Sequence, residues 1–183
     1  MAQFSQITGN AVVLKVTCDD IMTLYVDGNP QSAANLEIYN VQSTIVMPNG
    51  YEVIAIKCVN MGGDKGLLAS AENYRGELVL LSDRTWKCSS VFEPGWNQID
   101  FETSSGNWQS ATDLGEKSWS VSGQISPYAS WIWTKEGGST IYCRKEYPWN
   151  RGSYYLITFD WKCCNVFFQG TLYLAEASND VDV

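Results

Sequence analysis

Residues 12–28 constrain the fold most, because their apolar and polar side chains alternate as in a half-buried β-strand. Apolar residues occupy every second position from 14 to 18, which is the two-residue period of a strand. Asp19-Asp20 interrupts this run, since aspartate is poor in strands and favoured in turns. A second β-prone run, residues 24–26, ends at the turn dipeptide Asp27-Gly28. The segment is therefore predicted to form a hairpin-like unit of strand, acidic turn and strand.

The rest of the chain continues this pattern of short strands between turn residues, and no segment carries a sustained helical period. In the predicted strand 51–59, Val53 and Ala55 lie on one face, and Ile54 and Ile56 lie on the other. Further strands are predicted at residues 36–39, 43–46, 67–71 and 78–81. Many short strands separated by turns predict an all-β fold, an antiparallel β-sandwich or barrel.

The length and charge of the chain exclude several classes of partner. Its 183 residues suit one domain, or one domain with an appendage. The formal net charge is −8, whereas nucleic acids and anionic membranes attract basic surfaces. No apolar run approaches the roughly 20 residues of a membrane span. We therefore expect neither a nucleic-acid partner nor membrane insertion.

The chain contains no histidine, which narrows its chemistry more than any other absence. Without histidine there is no Ser-His-Asp or Cys-His catalysis, no histidine-ligated zinc or copper, and no histidine pH switch. Paired carboxylates can serve as the acid and base of a glycosidase, but nothing in the sequence singles out one pair. We therefore expect no enzymatic activity and no catalytic residues.

Six cysteines are spread over the chain, at positions 18, 58, 88, 143, 163 and 164. An even number of cysteines in a β-rich chain predicts up to three disulfides and a secreted, extracellular protein. The sequence does not choose among the many pairings. Adjacent residues of a strand point to opposite faces, so Cys163 and Cys164 are expected to have different partners. Free buried thiols are the alternative.

Eight tryptophans indicate a carbohydrate ligand. The C–H groups of a sugar ring lie flat on an aromatic face, and its hydroxyls bind planar carboxylates and amides. Trp96, Trp108 and Trp119 lie in a polar middle third of the chain, near Asn107 and Asp113. These five are the predicted carbohydrate-binding residues. The alternative is that the rings pack in the core or against loops.

Four acidic residues are the candidate calcium ligands: Asp19, Asp20, Asp100 and Glu102. Calcium takes about six to eight oxygen ligands, usually with several carboxylates among them. The sequence contains no EF-hand spacing. The alternative is that these residues are solvated turn residues and strand caps. Apart from calcium, no cofactor is expected.

A series of short motifs carries a resemblance to a known family. The motifs are residues 16–20 (VTCDD), 24–28 (LYVDG), 53–56 (VIAI), 66–69 (GLLA), 82–88 (SDRTWKC), 95–101 (GWNQIDF), 108–111 (WQSA) and 129–133 (ASWIW). In this order the chain resembles the galactose-binding-like jelly-roll domains that are attached to bacterial α-L-rhamnosidases and occur in animal extracellular proteins. The resemblance covers residues 11 to about 145. It implies a jelly-roll sandwich, whose relatives often bind carbohydrate and sometimes a structural calcium ion.

Residues 146–183 form a predicted C-terminal β extension of the jelly-roll domain at residues 1–145. Residues 156–170 echo residues 14–28 at a constant offset of 142 (170 − 28). An incomplete second copy cannot bury its own apolar face, so the extension is expected to pack on the first domain or on a partner subunit. A homo-oligomer formed in this way would gain avidity.

The predicted function is extracellular binding of a carbohydrate or glycoprotein, as a lectin that calcium assists. The alternative is a structural or adhesive module, or a module for a small pigment-type ligand, that assembles through its aromatic β surface. Inhibition of binding by a free monosaccharide separates the two hypotheses.

Overall fold

The computed structural model describes residues 11–31, 42–47, 50–115 and 125–147, and the strand backbone of residues 155–163 and 166–174. These residues form strands, turns and loops, so the predicted all-β class is confirmed for them. The described part of the chain holds no helix that is long and apolar enough to span a membrane. The chain divides into two compact units, Met1–Tyr147 and Pro148–Val183.

The first unit contains two antiparallel sheets of six strands each, packed together as a β-sandwich. Sheet A contains, in spatial order, β10 (Thr112–Asp113), β11 (Ile132–Trp133), β6 (Gly66–Asn73), β1 (Val12–Asp19) and β4 (Ser43–Met47), and β7 (Leu78–Leu81) also pairs with β6. Sheet B contains, in spatial order, β3 (Asn29–Pro30), β2 (Ile21–Val26), β5 (Val53–Val59), β12 (Thr140–Glu146), β8 (Lys87–Ser89) and β9 (Gln109–Ser110). The predicted strands 43–46, 51–59, 67–71 and 78–81 correspond to β4, β5, β6 and β7. The predicted strand 36–39 lies outside the described residues.

The main core lies between the two sheets, where every second residue of a strand points inward. Leu14 of β1 belongs to the same core cluster as Ile54 and Ile56 of β5, and all three are fully buried. The indole rings of Trp86 and Trp133 are fully buried in the same core. Burial of one such side chain contributes about 1.5–3 kcal/mol to the free energy of unfolding, and this burial holds the two sheets together.

The prediction that β1 and β2 form a hairpin is wrong. β1 pairs with β4 and β6, whereas β2 pairs with β3 and β5. Only Asp20 separates the end of β1 at Asp19 from the start of β2 at Ile21, and a hairpin loop needs about two residues. The chain therefore crosses from sheet A to sheet B at Asp19-Asp20, whose peptide bond is cis.

Two disulfides lie in the first unit, so disulfide formation is confirmed for four of the six cysteines. Cys18 of β1 and Cys58 of β5 join the two sheets, with 5.9 Å between their Cα atoms. Cys88 of β8 and Cys143 of β12 are direct partners on neighbouring strands of sheet B. Stable disulfides are typical of oxidising compartments. The predicted partners of Cys163 and Cys164 concern side chains outside the described residues.

The second unit contains one antiparallel pair of strands, β13 (Tyr155–Cys163) and β14 (Val166–Leu174). Their register runs from Tyr155 opposite Leu174 to Cys163 opposite Val166. This segment echoes β1 and β2 in sequence, but β1 and β2 belong to different sheets. The sequence echo therefore does not extend to the pairing of the strands.

Candidate functional site

The outer face of sheet B carries a second apolar cluster, apart from the main core. Even-numbered residues of β5 face the main core, and Val53 and Ala55 point to the outer face. Trp96 and Trp108 cover these two residues from the loop that follows β8. β5 is thus buried on both faces, and the tryptophan-rich loop supplies the second cover.

Six rings on this face contact one another and form what we call the outer aromatic layer: Tyr25, Phe92, Trp96, Phe101, Trp108 and Tyr142. Trp96 lies at its centre, with ring centroids 5.7 Å from Tyr25, 5.1 Å from Tyr142 and 6.4 Å from Trp108. Phe101 meets Trp108 edge-on at 5.4 Å. Such pairs contribute about 0.5–1.5 kcal/mol each beyond burial, so the rings hold one another in place.

Two of the predicted carbohydrate-binding rings are buried in this layer. Only 4% of Trp96 and 5% of Trp108 is exposed. A sugar needs an open aromatic face on which to lie, and neither ring offers one in this conformation. For both rings the structure therefore favours the alternative interpretation, packing against a strand.

The other predicted carbohydrate-binding residues are spread over both sheets. Asn107 is exposed near the outer aromatic layer, next to Trp108. Asp113 belongs to β10 of sheet A, where it accepts a hydrogen bond from Ser130 Oγ at 3.0 Å. Trp119 lies outside the described residues. The structure therefore brings Asn107, but not Asp113, to the same face as the buried tryptophans.

Phe92 is the exposed end of the outer aromatic layer, and the sequence patterns did not single it out. Its side chain is 58% exposed, and its ring centroid is 5.6 Å from that of Tyr142. The neighbouring carboxylate, Glu93 Oε1, accepts hydrogen bonds from Ser105 Oγ at 2.8 Å and Asn107 Nδ2 at 3.1 Å. An open ring and a positioned carboxylate and amide thus belong to the same loop, the one that follows β8. The available sequence signal was an apolar residue pair just before a Pro-Gly turn.

Arg144 lies beneath the layer on β12 and is 1% exposed. Its Nη1 donates to the Trp96 carbonyl at 3.1 Å, and its Nη2 is 3.3 Å from Glu146 Oε1. Its Cζ is 5.4 Å from the centre of the Phe101 ring, within the range of a cation–π contact. Burial lowers the pKa of the Arg144 guanidinium, while Glu146 and Asp100 oppose that shift. Arg144 therefore anchors the tryptophan loop to sheet B.

Two of the predicted calcium residues lie where the chain crosses between the sheets. Asp19 is buried at the end of β1. The backbone N–H of Asp20 donates to the Val59 carbonyl at 2.8 Å, and its Oδ2 accepts from the Met61 N–H at 2.6 Å. Both partners of Asp20 are backbone groups, so its position is explained as a turn residue.

The other two calcium candidates, Asp100 and Glu102, are exposed in the tryptophan loop. Asp100 acts electrostatically on Arg144, and Arg144 is paired with Ala55 of β5. Asp20 is instead hydrogen-bonded to Val59, four residues (55 to 59) further along β5. Among the side chains that the structure describes, no three acidic, histidine or cysteine residues are grouped so that they could hold a metal ion. The four candidates thus do not form one site there.

A groove of about 360 Å³ runs along β7 and is bordered by Asp83, Thr85 and Lys145. Two backbone carbonyls of β7 accept hydrogen bonds from side chains. The Tyr147 hydroxyl donates to the Val79 carbonyl, and Trp86 Nε1 donates to the Leu81 carbonyl at 2.9 Å. These bonds leave fewer backbone acceptors on β7 for an added strand. The outer face of sheet B is therefore the stronger candidate site.

No match was found when the chain was compared with known protein families, with characterised proteins and with solved structures. The functional argument therefore rests on the geometry of the outer face of sheet B.

Proposed function

We propose that this chain is an extracellular carbohydrate-binding protein, a lectin, and that it binds glycans on the outer face of sheet B. The observation that carries the proposal is the exposed Phe92 ring, which contacts Tyr142. The next residue, Glu93, is hydrogen-bonded to Asn107. The ring supplies an apolar platform for sugar C–H groups. The carboxylate and the amide supply planar partners for sugar hydroxyls.

Fixed side chains favour this use, because a binding group that is already ordered loses less entropy when a ligand arrives. Two hydrogen bonds hold Glu93 Oε1, from Ser105 and Asn107. Glu93 Oε2 accepts no hydrogen bond from the described residues and is therefore the oxygen that we assign to the ligand. The contact with Tyr142 restricts Phe92 in the same way.

The two disulfides support the extracellular location, because thiols are kept reduced in most intracellular compartments. We also propose that the sandwich is a jelly roll of the galactose-binding-like type, on the strength of the motifs in residues 16–133. Calcium assistance remains part of the proposal as an experimental question.

The test is a glycan array probed with oxidised, full-length protein, with and without a calcium chelator. We expect a narrow set of bound glycans, competed by one free monosaccharide. Phe92→Ala should weaken binding about tenfold, since burial of part of one aromatic ring is worth about 1.4 kcal/mol. Tyr128→Ala is the matched control, because Tyr128 is 77% exposed on a loop outside the outer aromatic layer. An array that stays blank with and without chelator would contradict the proposal.

A structural or assembly module is the second candidate, and the hairpin of β13 and β14 favours it. Side chains alternate between the faces of a strand, so the register places Ile157 and Leu172, a directly opposed pair, on one face. Thr158 and Thr171 lie on the other face. A two-stranded hairpin is only marginally stable by itself in water, which favours assembly of copies through its apolar face.

A further inference from the structure

Two buried donors have no hydrogen-bond acceptor among the described residues. They are Nε1 of Trp108, in the outer aromatic layer, and Nε of Arg144, beneath it. Nη2 of Arg144 makes an ion pair with Glu146 Oε1 without hydrogen-bond geometry. A buried donor without an acceptor costs about 1–3 kcal/mol, and more when it is charged. Such donors are rare in folded proteins. They therefore mark a place where a further acceptor is expected.

Both donors belong to side chains that border the same ring, that of Phe101. The centroid of Phe101 is 5.4 Å from that of Trp108, and Arg144 Cζ is 5.4 Å from the Phe101 centroid. Phe101 is half-buried in a segment of turns. Phe101 belongs to no strand pair of sheet B, so its ring can move without breaking one.

The charges around Arg144 select the kind of acceptor. The carboxylates of Asp100 and Glu146 act on Arg144, and Lys87 lies directly opposite Arg144 on β8, so two cations and two carboxylates balance. An uncharged ligand leaves this balance intact, whereas an anionic ligand would add an uncompensated negative charge. A hydroxyl group both accepts and donates hydrogen bonds, so a ligand rich in hydroxyls matches the nitrogen donors and the carboxylate acceptors together.

We propose that Arg144 Nε and Trp108 Nε1 bind hydroxyl oxygens of an uncharged pyranose sugar, in a site that the Phe101 ring closes. This inference rests on the proposed carbohydrate-binding function and specifies its ligand class and two contact groups. Tyr142 and Arg144 are alternate residues on the outer face of β12, so the exposed ring of Phe92, beside Tyr142, belongs to the same surface.

The test follows the indole N–H signals of the oxidised, full-length protein by ¹⁵N NMR. The probes are two matched pairs: D-galactose with D-galacturonate, and D-glucose with D-glucuronate. Each pair differs only by oxidation of the C6 hydroxymethyl group to a carboxylate. Trp108→Phe identifies the Trp108 signal by its loss, and calorimetry supplies the affinities of the variants.

We expect an uncharged sugar to shift the Trp108 signal and to bind at least about fivefold more tightly than its uronate. Trp108→Phe should weaken binding about tenfold, since it removes one hydrogen-bond donor. Phe101→Ala should tighten binding about threefold or more, because binding no longer requires the closing ring to move. Phe101 packs against the outer cluster and not the main core, so this variant should remain folded.

The outcomes separate this inference from the proposed function. If a sugar binds and Phe92→Ala weakens it, while Trp108→Phe and Phe101→Ala bind as the unmodified protein does, the inference is wrong and the lectin proposal stands. If the uronates bind as well as the uncharged sugars, the ligand class is wrong. If neither the unmodified protein nor Phe101→Ala binds any of the four sugars, this inference fails, and the lectin proposal fails with it only when the glycan array is also blank.

Discussion

Removal of the disulfide between Cys18 and Cys58 should destabilise the sandwich strongly, because this bond joins the two sheets. The bond closes a stretch with a sequence separation of 40 residues. In the chain-entropy description, a cross-link of this span lowers the conformational entropy of the unfolded chain. This raises the free energy of unfolding by about 4 kcal/mol. Natural domains have a total stability of about 5–15 kcal/mol, so the loss should be a large fraction of the whole.

The assay is urea unfolding of the Cys18→Ala/Cys58→Ala double variant, followed by tryptophan fluorescence. Trp86 and Trp133 are fully buried in the main core and report its exposure. With a denaturant dependence of about 2 kcal/mol per molar urea, the unfolding midpoint should fall by about 2 M. The slope of the unfolding curve should not fall, because the unfolded chain without the cross-link exposes at least as much surface as the cross-linked one.

The second disulfide supplies the matched control. Cys88 and Cys143 are 55 residues apart in sequence, so the same description predicts a loss that is larger by only about 0.3 kcal/mol. Nearly equal shifts for the two double variants would support the entropic account. A midpoint that falls by less than about 0.5 M in the Cys18→Ala/Cys58→Ala variant would refute it.

Further substitutions test the outer aromatic layer, the end of the first unit and the hairpin. Trp96→Ala should lower the free energy of unfolding by about 3–5 kcal/mol, since it empties the centre of the layer. Phe92→Ala, at an exposed ring, should change it by less than about 0.5 kcal/mol in the same urea assay. Burial raises the pKa of Tyr147. The contribution of its neutral hydroxyl to stability should therefore be fully present below the ordinary tyrosine pKa of about 10 and be lost as pH rises through the folded-state pKa. Tyr147→Phe should reduce this loss above about pH 10, and an unchanged pH dependence would assign it to other groups. Leu172→Lys should lower the molar mass measured by light scattering, whereas Thr171→Lys, on the opposite face of β14, should leave it unchanged; equal masses for both variants argue against assembly through the hairpin.

Strand positions could be predicted from the sequence because burial on one face leaves a local two-residue pattern. The predicted strand 51–59 is observed as Val53–Val59, and the predicted strand 67–71 is observed as Gly66–Asn73. Strand pairing could not be predicted in the same way. Alternation states which side chains are buried but not which strand lies beside them, and so β1 and β2 were assigned to one hairpin although they belong to different sheets.

For Trp96 and Trp108 the structure favours the alternative interpretation, packing, for a related reason. Their loop is polar in composition, which suggested exposed rings, but Trp96 and Trp108 are buried against Val53 and Ala55. A strand that is apolar on both faces must be covered on both faces. The pattern in residues 51–59 thus indicates that the strand must be covered on both faces. Which residues cover it depends on contacts with residues 41 (96 − 55) to 55 (108 − 53) positions away in sequence.

The position of Arg144 ties the stability of the tryptophan loop to the proposed binding surface. Its Nη1 holds the Trp96 carbonyl, and Trp96 supports Tyr142, on which Phe92 leans. A substitution of Arg144 would therefore disturb the loop and the sugar platform together, so loss of binding would not identify Arg144 as a ligand contact. Trp108→Phe keeps a ring in the layer and removes the N–H group. That difference makes Trp108 the residue at which stability and recognition separate most cleanly.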